Sequence, residues 1–293
     1  MKTAVRRHRV RGLAGALFCL LVGLGGPTSV VAEPAPTYLA LGDSLAYGLQ
    51  IDKLKGQIAN GAVRPESFDT GYVDILAADL KRSAAGLTVV NLGCPGESTT
   101  SFIAGPCGFA TTGKPFGTTP LPLHIPYQGA QLAAATAYLG AHPEGVGTIT
   151  LDIGINDLRA VQTACADQGA DCIATRWPTA LKGTEANLKL ILGQLREAAP
   201  RARILVGTYY NWLAAADQGG DRFVEDLNRV IIAAAADAGA RTVLVFPTFN
   251  RTGNPVARLC ALTLFCTPGH DLHPSDAGYR TIGDLFVAAA RQP

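Results

Sequence analysis

Five short apolar runs alternate with stretches of helical spacing, and this alternation constrains the chain more than any other feature. The runs cover residues 38–41, 87–91, 148–153, 204–208 and 243–246. Each is rich in Val, Ile, Leu or Thr and bounded by Gly, Pro, Asn or Asp, as expected of strands covered on both faces. Helical patterns occupy 72–82, 128–139, 179–198, 221–238 and 275–290. In the first of these, Tyr72, Ile75, Leu76 and Leu80 form one apolar face at spacings of three and four. Alternating strands and helices predict an α/β fold, a three-layer α/β/α sandwich around a five-stranded parallel sheet. Right-handed crossovers then place helices on both faces.

Three irregular stretches interrupt the pattern, at 101–127, 160–178 and 248–272. In a parallel sheet the loops leaving the carboxyl ends of strands build the site, and all three follow strands. They also carry cysteines. Cys94, Cys107, Cys165, Cys172, Cys260 and Cys266 form three locally spaced couples, and an even number in an exported chain reads as disulfides. The expected pairs are Cys94–Cys107, Cys165–Cys172 and Cys260–Cys266. No Cys/His spacing suits a metal site.

Export is expected from the first 32 residues. Lys2, Arg6, Arg7, Arg9 and Arg11 precede an apolar run at 13–24, and Val30-Val31-Ala32 offers small residues for cleavage. That is the layout of a cleaved signal peptide, and the run is shorter than the roughly 20 residues needed to span a bilayer. Five of the 25 cations and none of the 23 acids lie in residues 1–32, so the remainder carries 20 against 23. The mature chain, 33–293, is therefore slightly acidic, and without a basic stripe or cluster it is expected to have no nucleic-acid partner. It is expected to be one secreted, monomeric domain without stable membrane insertion.

Candidate chemistry gathers at the expected carboxyl edge of the sheet. Gly42-Asp43-Ser44-Leu45 closes the first strand, where Ser44 can present its hydroxyl beside free helix N–H groups. A serine needs a base. His273, in His270-Asp271-Leu272-His273-Pro274, stands before the last helix with Asp271 near enough to orient its ring. His124 and His142, in a Pro-rich loop and at a helix end, suit solvated surface roles. Asn156 in Gly154-Ile155-Asn156-Asp157 and a glycine in the turn after Asn91 can donate to an oxyanion.

These four segments, in this order, resemble the blocks of the SGNH/GDSL hydrolase superfamily. Ser44, Gly96, Asn156 and His273 match its four named residues, with Gly93 the other candidate for the glycine. The resemblance spans about 38–279. It implies a flavodoxin-like sheet and a serine esterase or lipase without metal or organic cofactor. The oxyanion hole would comprise Ser44, Gly96 and Asn156, and the partner would be a small-molecule or lipid ester. One position departs from the family pattern. The usual aspartate lies three residues before the histidine, where this chain has His270. Either Asp271 reaches His273 through a tighter turn, or the His270 carbonyl orients the ring in a Ser–His dyad.

The ester is less constrained. Phe102, Ile103, Phe109, Phe116, Leu264 and Phe265 either line an acyl pocket or form cores of stapled loops. Trp177, Trp212, Tyr209 and Tyr210 would suit a sugar platform if exposed, which keeps a carbohydrate O-acetylesterase as the alternative. A lysophospholipase or thioesterase would share every catalytic residue.

Overall fold

The structure is a computed structural model that describes residues 36–215 and 221–292. The leader assigned to residues 1–32 lies outside the described residues. From the amino end, β1 (Thr37–Gly42) leads to α1 (Ser44–Tyr47), α2 (Ile51–Ala59) and α3 (Tyr72–Ser83), and then to β2 (Thr88–Asn91). Next come α4 (Thr99–Ala104), α5 (Gly108–Thr112), α6 (Gln131–Ala141), β3 (Val146–Asp152), α7 (Ile155–Ala164) and α8 (Gly169–Ala198). β4 (Arg203–Gly207), α9 (Asp221–Asp237), β5 (Arg241–Val243), α10 (Val245–Asn250), α11 (Pro255–Leu262) and α12 (Asp276–Arg291) complete the order.

All pairings are parallel, in the order β2-β1-β3-β4-β5. This is the flavodoxin-like sheet. Helices α3 and α12 pack together on one face, and α6, α8 and α9 on the other. The strand order reverses between β1 and β3, so the loops after these two strands open a crevice at the carboxyl edge. Tyr38, Leu39, Leu41, Ile149, Leu151, Leu205 and Val206 are fully buried, because helices cover both faces of the central strands. A smaller core joins Tyr47, Leu54, Phe68, Phe109 and Leu123 around the Cys94–Cys107 bridge. Burying a ring such as Phe109 contributes about 1.5–3 kcal/mol, which gives this loop region a core of its own.

The expected strands and helices are found, with four differences. The last strand ends at Val243, and residues 245–250 are helical. There the Thr208 hydroxyl accepts the N–H groups of Val245 (2.8 Å) and Phe246 (3.4 Å), which turns the chain out of the sheet. A short apolar run suits a buried strand and a buried helical turn equally. Second, most of 160–178 is helical: α8 begins at Gly169 and carries Pro178 inside it. Proline usually ends a helix. The buried Trp177 side chain and the Cys165–Cys172 bridge anchor this segment. Third, 101–127 and 248–272 contain α5 and α11. Fourth, His124 is not a solvated surface group. Its ring is largely buried between the Tyr47 carbonyl (2.9 Å) and the Asp69 carboxylate (3.2 Å). His142 is exposed, as expected.

The three disulfides are the expected ones, Cys94–Cys107, Cys165–Cys172 and Cys260–Cys266.

Candidate active site

Ser44 begins α1 directly after β1. Asp43 caps the helix, its Oδ1 accepting the Leu45 N–H at 2.9 Å. The Asp43 N–H donates to the Asp152 carbonyl at 3.0 Å, and the Cys94 N–H donates to the Gly42 carbonyl at 3.0 Å. These bonds tie the turn to the ends of β3 and β2. Gly42 has φ +136°, and a Cβ there would stand 2.3 Å from the Asp152 carbonyl oxygen. Only glycine accepts both the backbone conformation and the approach.

The Ser44 hydroxyl lies 2.9 Å from His273 Nε2. His273 Nδ1 lies 2.6 Å from Asp271 Oδ1, which also accepts the His273 N–H at 3.0 Å. The other oxygen, Asp271 Oδ2, accepts the Ile51 N–H at 2.7 Å. This network assigns the proton to Nδ1 and leaves Nε2 to accept from Ser44. Burial pushes the Asp271 carboxyl upward. The hydrogen bond and charge of His273, with the two N–H groups, outweigh it and hold the group below the ordinary carboxylate value.

His270 explains how the departure from the usual spacing is accommodated. It has φ +45°, is exposed, and bonds through its ring to the Phe265 carbonyl at 3.0 Å. This left-handed turn is tight enough for Asp271, two residues before His273, to reach the ring. The loop is fixed from outside by Tyr210, whose hydroxyl donates to the Leu272 carbonyl at 2.8 Å, and by the Leu264 N–H, which donates to the His273 carbonyl at 2.9 Å.

Gly96 lies in the turn after β2, at φ +83° and with Pro115 Cδ 2.8 Å from where a Cβ would sit. Its N–H has no acceptor among the described residues, and neither has that of Ser44. The Gly93 N–H, by contrast, is taken by Asn91 Oδ1 at 2.9 Å, which leaves Gly96 as the available glycine donor. Asn156, at the start of α7, directs its amide to the Glu97 carbonyl at 2.8 Å and toward Asp43 Oδ2 at 3.5 Å. The short contact to Glu97 orients the group, and the 3.5 Å contact to Asp43 is the weaker of the two.

The structure adds residues that no motif marked. Tyr209 donates to Asp43 Oδ2 at 2.8 Å, and Gln131 bonds both the N–H and the carbonyl of Gly42. Asp152, at the inner end of β3, receives the Tyr72 hydroxyl at 2.5 Å. A carboxylate ending an apolar strand was the one sequence signal available, since acids are almost never fully buried without a partner.

The aromatic residues do not form a platform. Trp177, Trp212, Tyr209 and Tyr210 are all buried. Phe102, Ile103 and Phe265 pack with the main core, and Phe109 and Phe116 with the smaller one, so these five serve as loop cores.

Glu97 is buried beside the Gly96 turn, and burial pushes its carboxyl from 4.5 up to about 7. A carboxyl with a raised folded-state value binds more protons when folded, so its stabilisation is complete below 4.5 and is lost as pH rises toward 7. Glu97→Gln should therefore melt at a higher temperature than the parent at about pH 8. The gain, on the order of 1–3 kcal/mol, should vanish below about pH 4.5. Thermal denaturation across pH checks this, and equal shifts at both ends would refute it.

The profile of the GDSL-like lipase/acylhydrolase family matches residues 40–281. The chain belongs to this family, and it is an ester-hydrolysing enzyme. Among solved structures, the fold is similar to an extracellular lipase from Streptomyces rimosus, at 20% identity and a TM-score of 0.57, covering 88% of this chain and 100% of that one. It is also similar to a phospholipase A1 from Streptomyces albidoflavus, at 22% identity and 0.54, covering 88% and 100%. A third is an acetyl-xylooligosaccharide esterase from Geobacillus, at 14% identity and 0.53, covering 89% and 96%. No curated protein sequence matches the chain.

Proposed function

We propose that this chain is a secreted serine esterase that hydrolyses carboxylic esters of acyl-chain or lipid type. The observation that carries the reading is the continuous line from Ser44 Oγ through His273 to Asp271, with hydrogen bonds of 2.9 and 2.6 Å. His273 takes the Ser44 proton as the oxygen attacks the ester carbonyl. The resulting oxyanion is held by the N–H groups of Ser44 and Gly96 and the Asn156 amide. The imidazolium, stabilised by Asp271, protonates the leaving alcohol. Water, activated by the same ring, then releases the acid from the acyl-enzyme.

Two observations support an acyl substrate over a sugar ester. Trp177, Trp212, Tyr209 and Tyr210 are buried and so offer no stacking surface. A cleft of about 520 Å³ runs between α4, α7 and α8. Its lining combines an apolar wall of Ala160, Val161, Ala164 and Ala180 with polar groups of Ser98, Thr100, Asp157, Arg176, Thr184 and Asn187. The apolar wall offers contact to a hydrocarbon chain, and Ser98 and Asp157 adjoin the Gly96 and Asn156 segments in sequence. Secretion is supported by the basic and apolar leader and by the three disulfides, which persist in oxidising compartments. No helix among the described residues is long and apolar enough to cross a membrane.

The test is a panel of p-nitrophenyl esters of rising chain length, phospholipids, acyl thioesters and acetylated xylan. We expect kcat/KM to rise from acetyl to medium chains by about tenfold for every two CH2 groups buried, since each is worth about 0.8 kcal/mol. Faster turnover of acetylated xylan than of any acyl chain would overturn the lipid preference in favour of an O-acetylesterase. A preference for phospholipids or thioesters would narrow the class.

A further inference from the structure

The chemistry above makes no use of Asp152, yet this acid lies directly behind the turn that carries Ser44. It ends β3, is only 3% exposed, and shares a main-chain bond with Asp43 at 3.0 Å. Gly42 lets the strands meet there. A Cβ at Gly42 would stand 2.9 Å from the Asp152 carboxyl carbon. The two carboxyl groups adjoin, so a proton on one of them would have the other as its acceptor. The groups facing this pair are Tyr38 of β1, Tyr72 of α3, Thr150 of β3, Tyr209 after β4 and Tyr279 of α12, with His273, Glu97 and Tyr210 toward Asp43.

Counting donors separates the two acids. Asp43 receives the Leu45 N–H on one oxygen, with the Tyr209 hydroxyl and the Asn156 amide on the other. An ionised carboxylate is satisfied by that set. Asp152 receives the Tyr72 hydroxyl on Oδ1, but its Oδ2 is buried and has no donor. An ionised Asp152 would leave an orphaned acceptor in the core beside a second negative charge, and two adjoining buried carboxylates do not both ionise. A proton on Oδ2 removes both costs, because the orphaned oxygen then becomes a donor to Asp43.

We propose that Asp152 is kept as a neutral carboxylic acid whose O–H donates to Asp43, and that it acts as a positioning residue for the Ser44 turn and the Asn156 amide. Asp43 holds both: it caps α1 through Leu45 and touches the Asn156 side chain. Burial, followed by the charge of Asp43, pushes the Asp152 carboxyl well above its ordinary range. At sufficiently alkaline pH the second proton leaves, the two charges repel, and the turn loses its anchor. The kinetic part of this proposal rests on Ser44 being the nucleophile, and the protonation part does not.

The test uses the full chain and two substitutions. Asp152→Leu fills similar space without a donor, whereas Asp152→Asn places a neutral N–H donor where Oδ2 stands and keeps an oxygen for Tyr72. Asp152→Leu should lower kcat roughly 10- to 100-fold with KM within about twofold. Asp152→Asn should recover at least about tenfold of that loss. It should also keep its rate at alkaline pH, where the parent declines reversibly. In a Glu97→Gln background, which removes the neighbouring carboxyl raised to about 7, infrared difference spectra at neutral pH should show a protonated-carboxyl C=O band that is missing once Asp152→Asn is added. A band that survives in Asp152→Asn overturns the assignment, as does an Asn variant that is as slow as the Leu variant. Should Asp152→Leu not fold, the infrared band and the alkaline limb of Asp152→Asn decide alone. If Asp152→Asn removes the band while Ser44→Ala remains active, the neutral acid stands and the nucleophile reading falls.

Discussion

Ser44→Ala should lower kcat by roughly a million-fold, with KM changing little, because the acyl-enzyme route closes when the attacking oxygen is removed. The residual rate, about 10³–10⁴ over water, would come from binding and from the oxyanion donors. Those donors survive the change, since alanine retains the N–H at position 44 and leaves Gly96 and Asn156 in place. The fold should survive as well. The side chain contributes one hydrogen bond, 2.9 Å to His273, and its loss costs about 1 kcal/mol. The measurement is intact-mass detection of a fluorophosphonate adduct alongside ester turnover. Labelling of the parent and none of the variant is the expected pair of results. An alanine variant that still forms the adduct would place the nucleophile elsewhere.

His273→Ala should be comparably severe, again roughly a million-fold in kcat, since a neutral serine hydroxyl without a base is a poor nucleophile. Comparison with Asp271→Asn divides this effect into its parts. The single amide oxygen cannot serve both the Ile51 N–H and the His273 side, and where it turns to Ile51 an NH2 faces Nδ1 and drives the ring to the wrong tautomer. The expected loss is about 10³- to 10⁴-fold. Steady-state rates for the two variants on one chromogenic ester give the answer. Asp271→Asn within a few-fold of the parent, beside an inactive His273→Ala, would mean that the enzyme works as a Ser–His dyad. The 2.6 Å contact would then orient the ring without serving the transition state.

These effects could be written down before any coordinates because the four segments are local. Ser44, Gly96, Asn156 and His273 each stand in a short run whose composition marks a strand end or a turn. A parallel sheet with right-handed crossovers brings such ends to one edge. Asp271 was legible only as one of two possibilities, because His270 occupies the usual acid position. The left-handed backbone at His270 settled the geometry, and a histidine gives little warning of such a conformation. The helices hidden in the loops were harder to see. Pro178 reads as a boundary, whereas in the fold the neighbouring Trp177 is buried in the main core and the helix continues through the proline.

The sequence by itself determined the sheet and the four segments of the site, since these follow from periodicity and short motifs, and it favoured the three disulfide couples by their spacing without fixing them. Only the tertiary structure decided which carboxyl reaches His273, which glycine keeps a free N–H, and where the aromatic side chains go. It alone exposed the Asp43–Asp152 pair, whose members come from separate strand ends and are 109 residues apart. Burial, donor counts and the distance between carboxyls depend on how β1, β3 and the turns after β4 meet. No local pattern encodes that meeting, because the hydrogen bonds that create it join residues distant in the chain.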